Sequence, residues 1–340
     1  MTKTAILLAL LVAVVALPLF GQGGDPNYKP RRINKMIELL EDGQTIYDIS
    51  VVGAGYDDGK KLAQSQVDLI QYQMEHGPFN PDKLQQFMQG LIDGGPTKSG
   101  HRTPTVIVTL PFVGLDGPTV RANHWVIEQI LQTGVHGMML CHARSADAVR
   151  EFVAAARYQF ARPGLKDQAL PEGYRGSGSQ GAPARMWGIR PIEYVEKADP
   201  WPLNPNGELI LSLKMEDKYS LKNIDEITKV PGIAWGEWGP GDQVMSLKGL
   251  EYMKRGGNQG RTGTPSAATL GLPPIGDAEL DAARTRIMTA MKAANIAPLH
   301  GTTDENIIDL IKAGIRVTHA GRDTVRTNKG REFTKRKMPY

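Results

Sequence analysis

Two carboxylates carry the most suggestive chemistry in this chain. Glu216 closes the apolar run Leu209–Met215, and Asp242 follows Gly239-Pro240-Gly241 just past the run Gly232–Trp238. Between the two runs, Leu221, Ile224, Ile227 and Val230 recur at the spacing of a helix's buried face. Strand, helix and parallel strand form a right-handed crossover, which puts both acids on one edge of a parallel sheet. Two acids on adjacent strand ends, with no Cys or His beside them, suit a hard divalent cation that keeps several waters. The same spacing fits two solvated carboxylates at loop starts, so both readings stay open.

Other strand ends add titratable groups. His76 stands past the predicted strand Val67–Met74, Thr109 near the end of Thr105–Leu110, and His142 past His136–Cys141. His300 and His319 lie near the ends of Ala297–His300 and Ile315–Ala320. A barrel would gather all of these around one mouth. Imidazole is the natural base near neutral pH, although a lone strand-end His is more often a structural hydrogen-bonder. Lys214 lies two residues before Glu216 and therefore points the same way along a strand. Its amine could form a Schiff base with a carbonyl substrate, pair with Glu216, or hold a substrate carboxylate. Trp187, Trp235 and Trp238 could stack on a ring or sugar, with core packing the commoner role.

The elements that must position these groups alternate regularly. Strands are predicted at Thr45–Val52 and at the seven runs from Val67–Met74 to Ile315–Ala320. Helical spacing falls between them at Ile33–Leu40, Lys60–Gln66, Lys83–Leu91, Trp125–Gln132, Ser145–Arg157, Leu221–Val230, from Asp277 to Ala294, and Thr303–Ala313. This α/β alternation predicts a single-domain (β/α)8 TIM barrel. No G-x-G-x-x-G follows the first strand, which argues against a dinucleotide-binding sheet. The Gly- and Pro-rich stretch Lys248–Gly276 would lie over the functional edge, as lids do.

The chain has 340 residues, 41% of them hydrophobic and 22% charged, enough for one large domain. Its net charge of +4 is local. The stretch 326–340 holds six Lys or Arg against Glu332, and without it the 40 basic and 36 acidic residues fall to 34 and 35. This predicts a solvated or subunit-contacting basic tail and no nucleic-acid partner. Lys3 precedes an apolar run from Ala5 to Phe20, the pattern of a secretory signal peptide over 1–21, with an uncleaved N-terminal anchor as the alternative. The expected protein is exported, periplasmic or secreted, with its barrel over 22–325 and no stable membrane partner beyond the signal segment. Its single Cys, Cys141, cannot form an intrachain disulfide.

Six ordered blocks carry a family resemblance. They are Glu75-His76, GVHGMMLCHARSADAVREFVAAARY (134–158), ARMWGIRPIEYVEKAD (184–199), KMED (214–217), NIDEITKVPGIAWGEWGPGDQVMSL (223–247) and AGIRVTHAGRDT (313–324). Over roughly Tyr47–Val325 the chain resembles the HpcH/HpaI aldolase/citrate lyase family, specifically its metal-dependent class II aldolases for pyruvate-type 2-oxo acids. The resemblance implies a carbon–carbon lyase that interconverts a 4-hydroxy-2-oxo acid with pyruvate, or a related 2-oxo acid, and an aldehyde through a metal-stabilised enolate. It implies Glu216 and Asp242 as ligands of Mg2+, Mn2+ or Co2+, and His76 as the base that moves the proton at the aldol hydroxyl. Gly239, Pro240 and Gly241, leading to Asp242, take the slot that holds the 2-oxo acid carboxylate, flanked by Trp238. Glu75 and Gln73 fall in supporting positions. A homo-oligomer is also implied. Departures stand beside these matches: Thr109 replaces the family's Arg near the end of strand three, Lys214 a Gln, Gln73 the Asp that orients the His, and Glu237-Trp238 an apolar pair. Lys214 could supply the cation lost at Thr109. Alternatives are a citrate-lyase-type or aromatic or sugar-acid lyase, and an exported barrel that binds a ligand without turnover.

Overall fold

A computed structural model describes residues 23–166, 170–254 and 276–340. The predicted signal peptide over 1–21 and most of the predicted lid lie outside the described residues. Among the described residues nine strands form one parallel sheet: β1 (Ile46–Val52), β2 (Leu69–Gln73), β3 (Thr105–Val113), β4 (Gly137–Cys141), β5 (Pro200–Trp201), β6 (Leu209–Lys214), β7 (Ile233–Glu237), β8 (Ala297–Leu299) and β9 (Val317–Thr318). β4 pairs with β6 and β1 with β9, so eight strands close into a barrel and β5 only extends the start of β6. The predicted (β/α)8 barrel is the observed one. Closure depends on Gly137, where a Cβ would sit 1.9 Å from the Ile210 carbonyl oxygen. Only Gly lets β4 approach β6 so closely.

Strand alternation sorts the side chains. Ile46, Leu69, Ile107, Met139, Ile210, Trp235, Leu299 and Val317, one from each barrel strand, form a common inner cluster. Their neighbours Ile70, Tyr72, Val106, Val108, Met138, Leu140, Leu211 and Leu213 pack outward into the helical layer. Each such side chain contributes roughly 1.5–3 kcal/mol by leaving water. Further along the same inward rows stand Asp48, Gln71, Thr109 and Lys214, so the interior turns from apolar to polar toward the C-terminal mouth.

Most predicted elements appear with shifted ends. β3 continues through Pro111 to Val113, with its register shifting after Thr109, where a residue without an N–H is tolerated. The predicted Lys60–Gln66 helix begins earlier, at Tyr56, because Asp58 accepts from the Gly55 N–H. The predicted helix over Leu221–Val230 is two short turns, Lys218–Lys222 and Ile224–Ile227, separated by Asn223. Lys248–Lys254, expected as loop, extends a helix from Pro240 that is broken at Gly249. No helix among the described residues is long and apolar enough to cross a membrane.

The C-terminal stretch corrects its expectation. Thr324–Phe333 is a helix, and Arg331 and Arg336 are buried rather than solvated. They fold under the barrel to Asp68, just before β2. Arg336 donates from both Nη atoms to Asp68 Oδ2 at 2.9 Å, Lys35 Nζ lies 2.8 Å from Oδ1, and Arg331 Nη2 is 3.9 Å away. Burial would raise the Asp68 carboxyl, but Arg336, Lys35 and Arg331 together hold it well below the carboxylate range. The helix Lys35–Glu41 and Met338 complete this floor. Asp68→Asn is expected to lower stability by about 3–5 kcal/mol, since it strands buried cations. A urea midpoint unchanged in that variant would show that the floor does not need the anion.

Candidate functional site

The site is assembled where β2, β4, β6 and β7 end. Lys214, the last residue of β6, sends Nζ to Glu75 Oε2 at 2.9 Å and to Glu216 Oε2 at 3.1 Å. His142 faces the other oxygen of each carboxylate. Its Nε2 lies 3.6 Å from Glu216 Oε1 and 4.0 Å from Glu75 Oε1, and its backbone N–H donates to Glu216 Oε1 at 3.2 Å. This non-glycine residue has φ of 46°, a left-handed conformation held here against strain. Asp217 fixes the ring from behind, with Oδ2 3.2 Å from Nδ1, and itself accepts from Arg144 Nε at 2.6 Å.

Glu75, His142 and Glu216 thus bring three ligating atoms within 4.8 Å of one another. A divalent cation fits this set. Glu216 is fully buried and its Oε2 accepts no hydrogen bond, the Lys214 ammonium being close but misaligned. Burial, opposed by Lys214 and His142 and reinforced by Glu75 and Asp242, pushes the Glu216 carboxyl up to about 8. Such a carboxylate lacks compensating charge, and oxygen-rich ligands suit hard cations. Lys214 behaves oppositely. Burial would lower its ammonium, yet Glu216, Glu237 and Glu75 hold it well above its ordinary value. The pairing reading of Lys214 is the one its contacts bear out, and a protonated amine is no Schiff-base nucleophile.

The remaining predicted residues divide. Asp242 lies in the first turn of the helix from Pro240 and adds negative charge near Glu216 and His142, without joining the close set. His76 is exposed, with Nε2 3.3 Å from Glu75 Oε2. Gln73 does not orient it: Gln73 Oε1 accepts from Thr109 Oγ1 at 2.8 Å and Nε2 reaches Ser50. Thr109 is buried and also accepts from the Met74 N–H. Trp238 is buried against His300, at 6.5 Å between ring centroids, with Arg284 over its face. Trp187 and Trp235 are likewise core residues. Gly239 packs so tightly on Glu216 that a Cβ would lie 2.0 Å from Oε2, whereas Gly241 faces open space and Pro240 starts the helix. Cys141 is buried in the inner cluster, which raises its thiol. Sequence reasoning gave Glu75 only a supporting place and did not pair it with His142. Their shared position just past strand ends was the available signal.

Solved structures share this architecture. A HpcH/HpaI aldolase/citrate lyase family protein from Burkholderia cenocepacia superposes with TM-score 0.61 at 17% identity, covering 89% of this chain and 99% of that one. Its fold is theirs. An HpcH/HpaI aldolase from Desulfitobacterium hafniense gives 0.57 at 17% identity over 88% of this chain and 96% of the other. In sequence, the chain is 30% identical over 161 residues to a hydroxypyruvate/pyruvate aldolase of Deinococcus radiodurans, covering 46% of this chain and 51% of that protein. It is 33% identical over 128 residues to a 2-keto-3-deoxy-L-rhamnonate aldolase of Klebsiella pneumoniae, 38% and 41% of the two chains. The chain thus spans about half or less of the curated relatives it matches. No protein-family model matches it.

Calorimetric titration with Mn2+ checks the site directly. Glu216→Gln is expected to abolish binding. Lys214→Met removes the competing charge and is expected to tighten it about tenfold, or about 1.4 kcal/mol. An unaltered isotherm for Glu216→Gln would place the ion elsewhere.

Proposed function

We propose that this chain is a divalent-metal-dependent carbon–carbon lyase, forming or cleaving a 4-hydroxy-2-oxo acid from pyruvate, or a related 2-oxo acid, and an aldehyde. The observation that carries this reading is the buried, under-compensated Glu216 beside Glu75 and His142 at the C-terminal mouth of an aldolase-type barrel. Sequence similarity to two aldolases supports it.

Glu216, His142 and Glu75 would hold Mg2+, Mn2+ or Co2+, with Asp242 adding charge from the helix start. When bound, such an ion would supply Lewis acidity to a 2-oxo acid held at the mouth. The chain's own residues do the rest. Lys214 clamps the Oε2 atoms of Glu75 and Glu216 and so fixes both carboxylates. Asp217 sets the ring plane of His142. The backbone turn at Gly239–Asp242 receives the substrate carboxylate at the positive end of the following helix. His76, exposed next to Glu75, serves the proton of the donor's methyl carbon, exchanged with water, rather than the aldol hydroxyl that the resemblance gives it. The run Ala5–Phe20 behind Lys3 supports an exported protein. The resemblance further supports a homo-oligomer.

Deuterium exchange at the pyruvate methyl group in D2O tests this reading without knowledge of the aldehyde. Exchange is expected with Mn2+-loaded protein, is expected to stop with EDTA, and to fall about 10²–10⁴-fold in His76→Ala. Metal-loaded wild type that leaves the methyl protons in place would rule the lyase out for pyruvate.

A further inference from the structure

Across the mouth from the candidate cation site stands a second constellation. Asp48 on β1 and His319 after β9 continue the register Ile46↔Val317 and Tyr47↔Thr318, which makes them neighbours on adjacent strands. His319 Nδ1 lies 2.9 Å from Asp48 Oδ1 and 3.0 Å from Oδ2. Asp48 is buried and also accepts from Gln71 Nε2 on β2, so its carboxylate is held from two sides. The His319 side chain is 42% exposed and borders a cavity of about 380 Å³ with Ser50, Arg322 and Asp323. Its Nε2 points toward β7, 3.9 Å from Glu237 Oε1. Glu237 is the register partner of Lys214, which ties this constellation to the first.

The contrast with His76 is informative. Gln73 is turned to Thr109 and Ser50, and the Glu75 oxygen 3.3 Å from His76 Nε2 is shared with Lys214, so His76 has no carboxylate to itself. His319 has one, bound through Nδ1, which leaves Nε2 as the working nitrogen.

Resting on the lyase reading above, we propose that His319 is a catalytic residue that transfers the proton at the aldol oxygen, with Asp48 as its positioning residue. In condensation, the nucleophilic carbon of the donor forms a bond to the aldehyde carbonyl carbon. The carbonyl π pair moves to its oxygen, which takes the proton from His319 Nε2, and the neutral ring keeps its Nδ1–H on Asp48. The methyl proton lost earlier leaves by way of His76, so protons balance. In cleavage, neutral His319 takes the hydroxyl proton as the carbon–carbon bond breaks. The titratable groups acting on the ring are Asp48 from β1, Glu237 from β7 and His300 after β8, and Arg322 and Asp323 of its own loop line the same cavity. Burial would lower the imidazole, but Asp48 and Glu237 raise it well above its usual value, the proton-donor form that condensation needs.

The experiment compares two rates in Mn2+-loaded full chain: methyl deuterium exchange of pyruvate, and aldol turnover of pyruvate with glycolaldehyde. His319→Gln is expected to keep exchange within about twofold and to lose aldol turnover by about 10²–10⁴-fold, the range for a removed acid–base group. Asp48→Asn is expected to move the alkaline limb of the aldol pH–rate profile to lower pH while exchange persists, because the ring loses the charge that raises it. Preserved exchange certifies that each variant folds. The proposal is overturned if His319→Gln keeps wild-type turnover, or if exchange and turnover fall together, which marks a structural role. Wild type that does not exchange at all defeats the lyase reading first, and this step with it.

Discussion

The mouth of this barrel is organised by a shortage of positive charge. Glu75, Glu216 and Glu237 converge on Lys214, whose ammonium touches the first two directly, and Asp242 adds negative charge near Glu216. Two unit charges 4 Å apart interact by about 4 kcal/mol at a dielectric near 20, so carboxylates this close repel strongly, and Lys214 with His142 offsets only part of that for the buried Glu216. The strain of that imbalance falls on Glu216, the most deeply buried. A cation among Glu75, His142 and Glu216 relieves it. Lys214 therefore serves as a fixed internal cation that holds one edge of each carboxylate while leaving the other edge to His142.

The barrel floor shows the opposite balance in the same low dielectric. Asp68 is buried as completely as Glu216, but Lys35, Arg331 and Arg336 surround it. The excess there is cationic: burial brings the Arg331 guanidinium down to about 10. A buried anion with three cations is a structural tie, linking the first helix, β2 and the C-terminal helix. A buried anion without enough cations is a binding site. One fold uses both, at opposite ends of the same eight strands.

How much of this was legible in sequence follows from what each feature depends on. Strand positions were legible because apolar runs ending in Gly, Pro or charge give them away, and Glu216, Asp242, His76 and Lys214 were found by standing at those ends. Shorter-range competition blurred the boundaries, as with Asp58 starting its helix early and Asn223 splitting another. Pairings between strands were not legible. Glu75 with His142, and Asp48 with His319, depend on sheet register and on a positive φ at His142, neither of which a linear pattern fixes. Asp48 still left a trace, the lone charged residue of its strand. The basic C-terminus misled because charge composition cannot reveal a buried anion waiting for it.

The departures from the family pattern also become intelligible as a group. Thr109 and Gln73 stand where the resemblance expects an Arg and an Asp, and here they hydrogen-bond to each other at 2.8 Å. Where the resemblance expects a charged pair on β2 and β3, this chain carries a neutral, hydrogen-bonded one. Positive charge appears instead on two other inward rows, Lys214 on β6 and His319 after β9, with Glu237 between them in register and space. Asp48 then supplies on β1 the imidazole-orienting carboxylate that is absent at Gln73. On the proposed lyase reading, Lys214, His319 and Asp48 would supply from other strands the kinds of group that the resemblance expects on β2 and β3. With His319 acting as proposed, proton transfer at the donor's methyl carbon stays with His76 past β2, and that at the aldol oxygen lies beside Ser50 and Arg322. If the proposed step at His319 holds, an acceptor aldehyde would meet Ser50, Arg322 and Asp323 on the β1–β9 side.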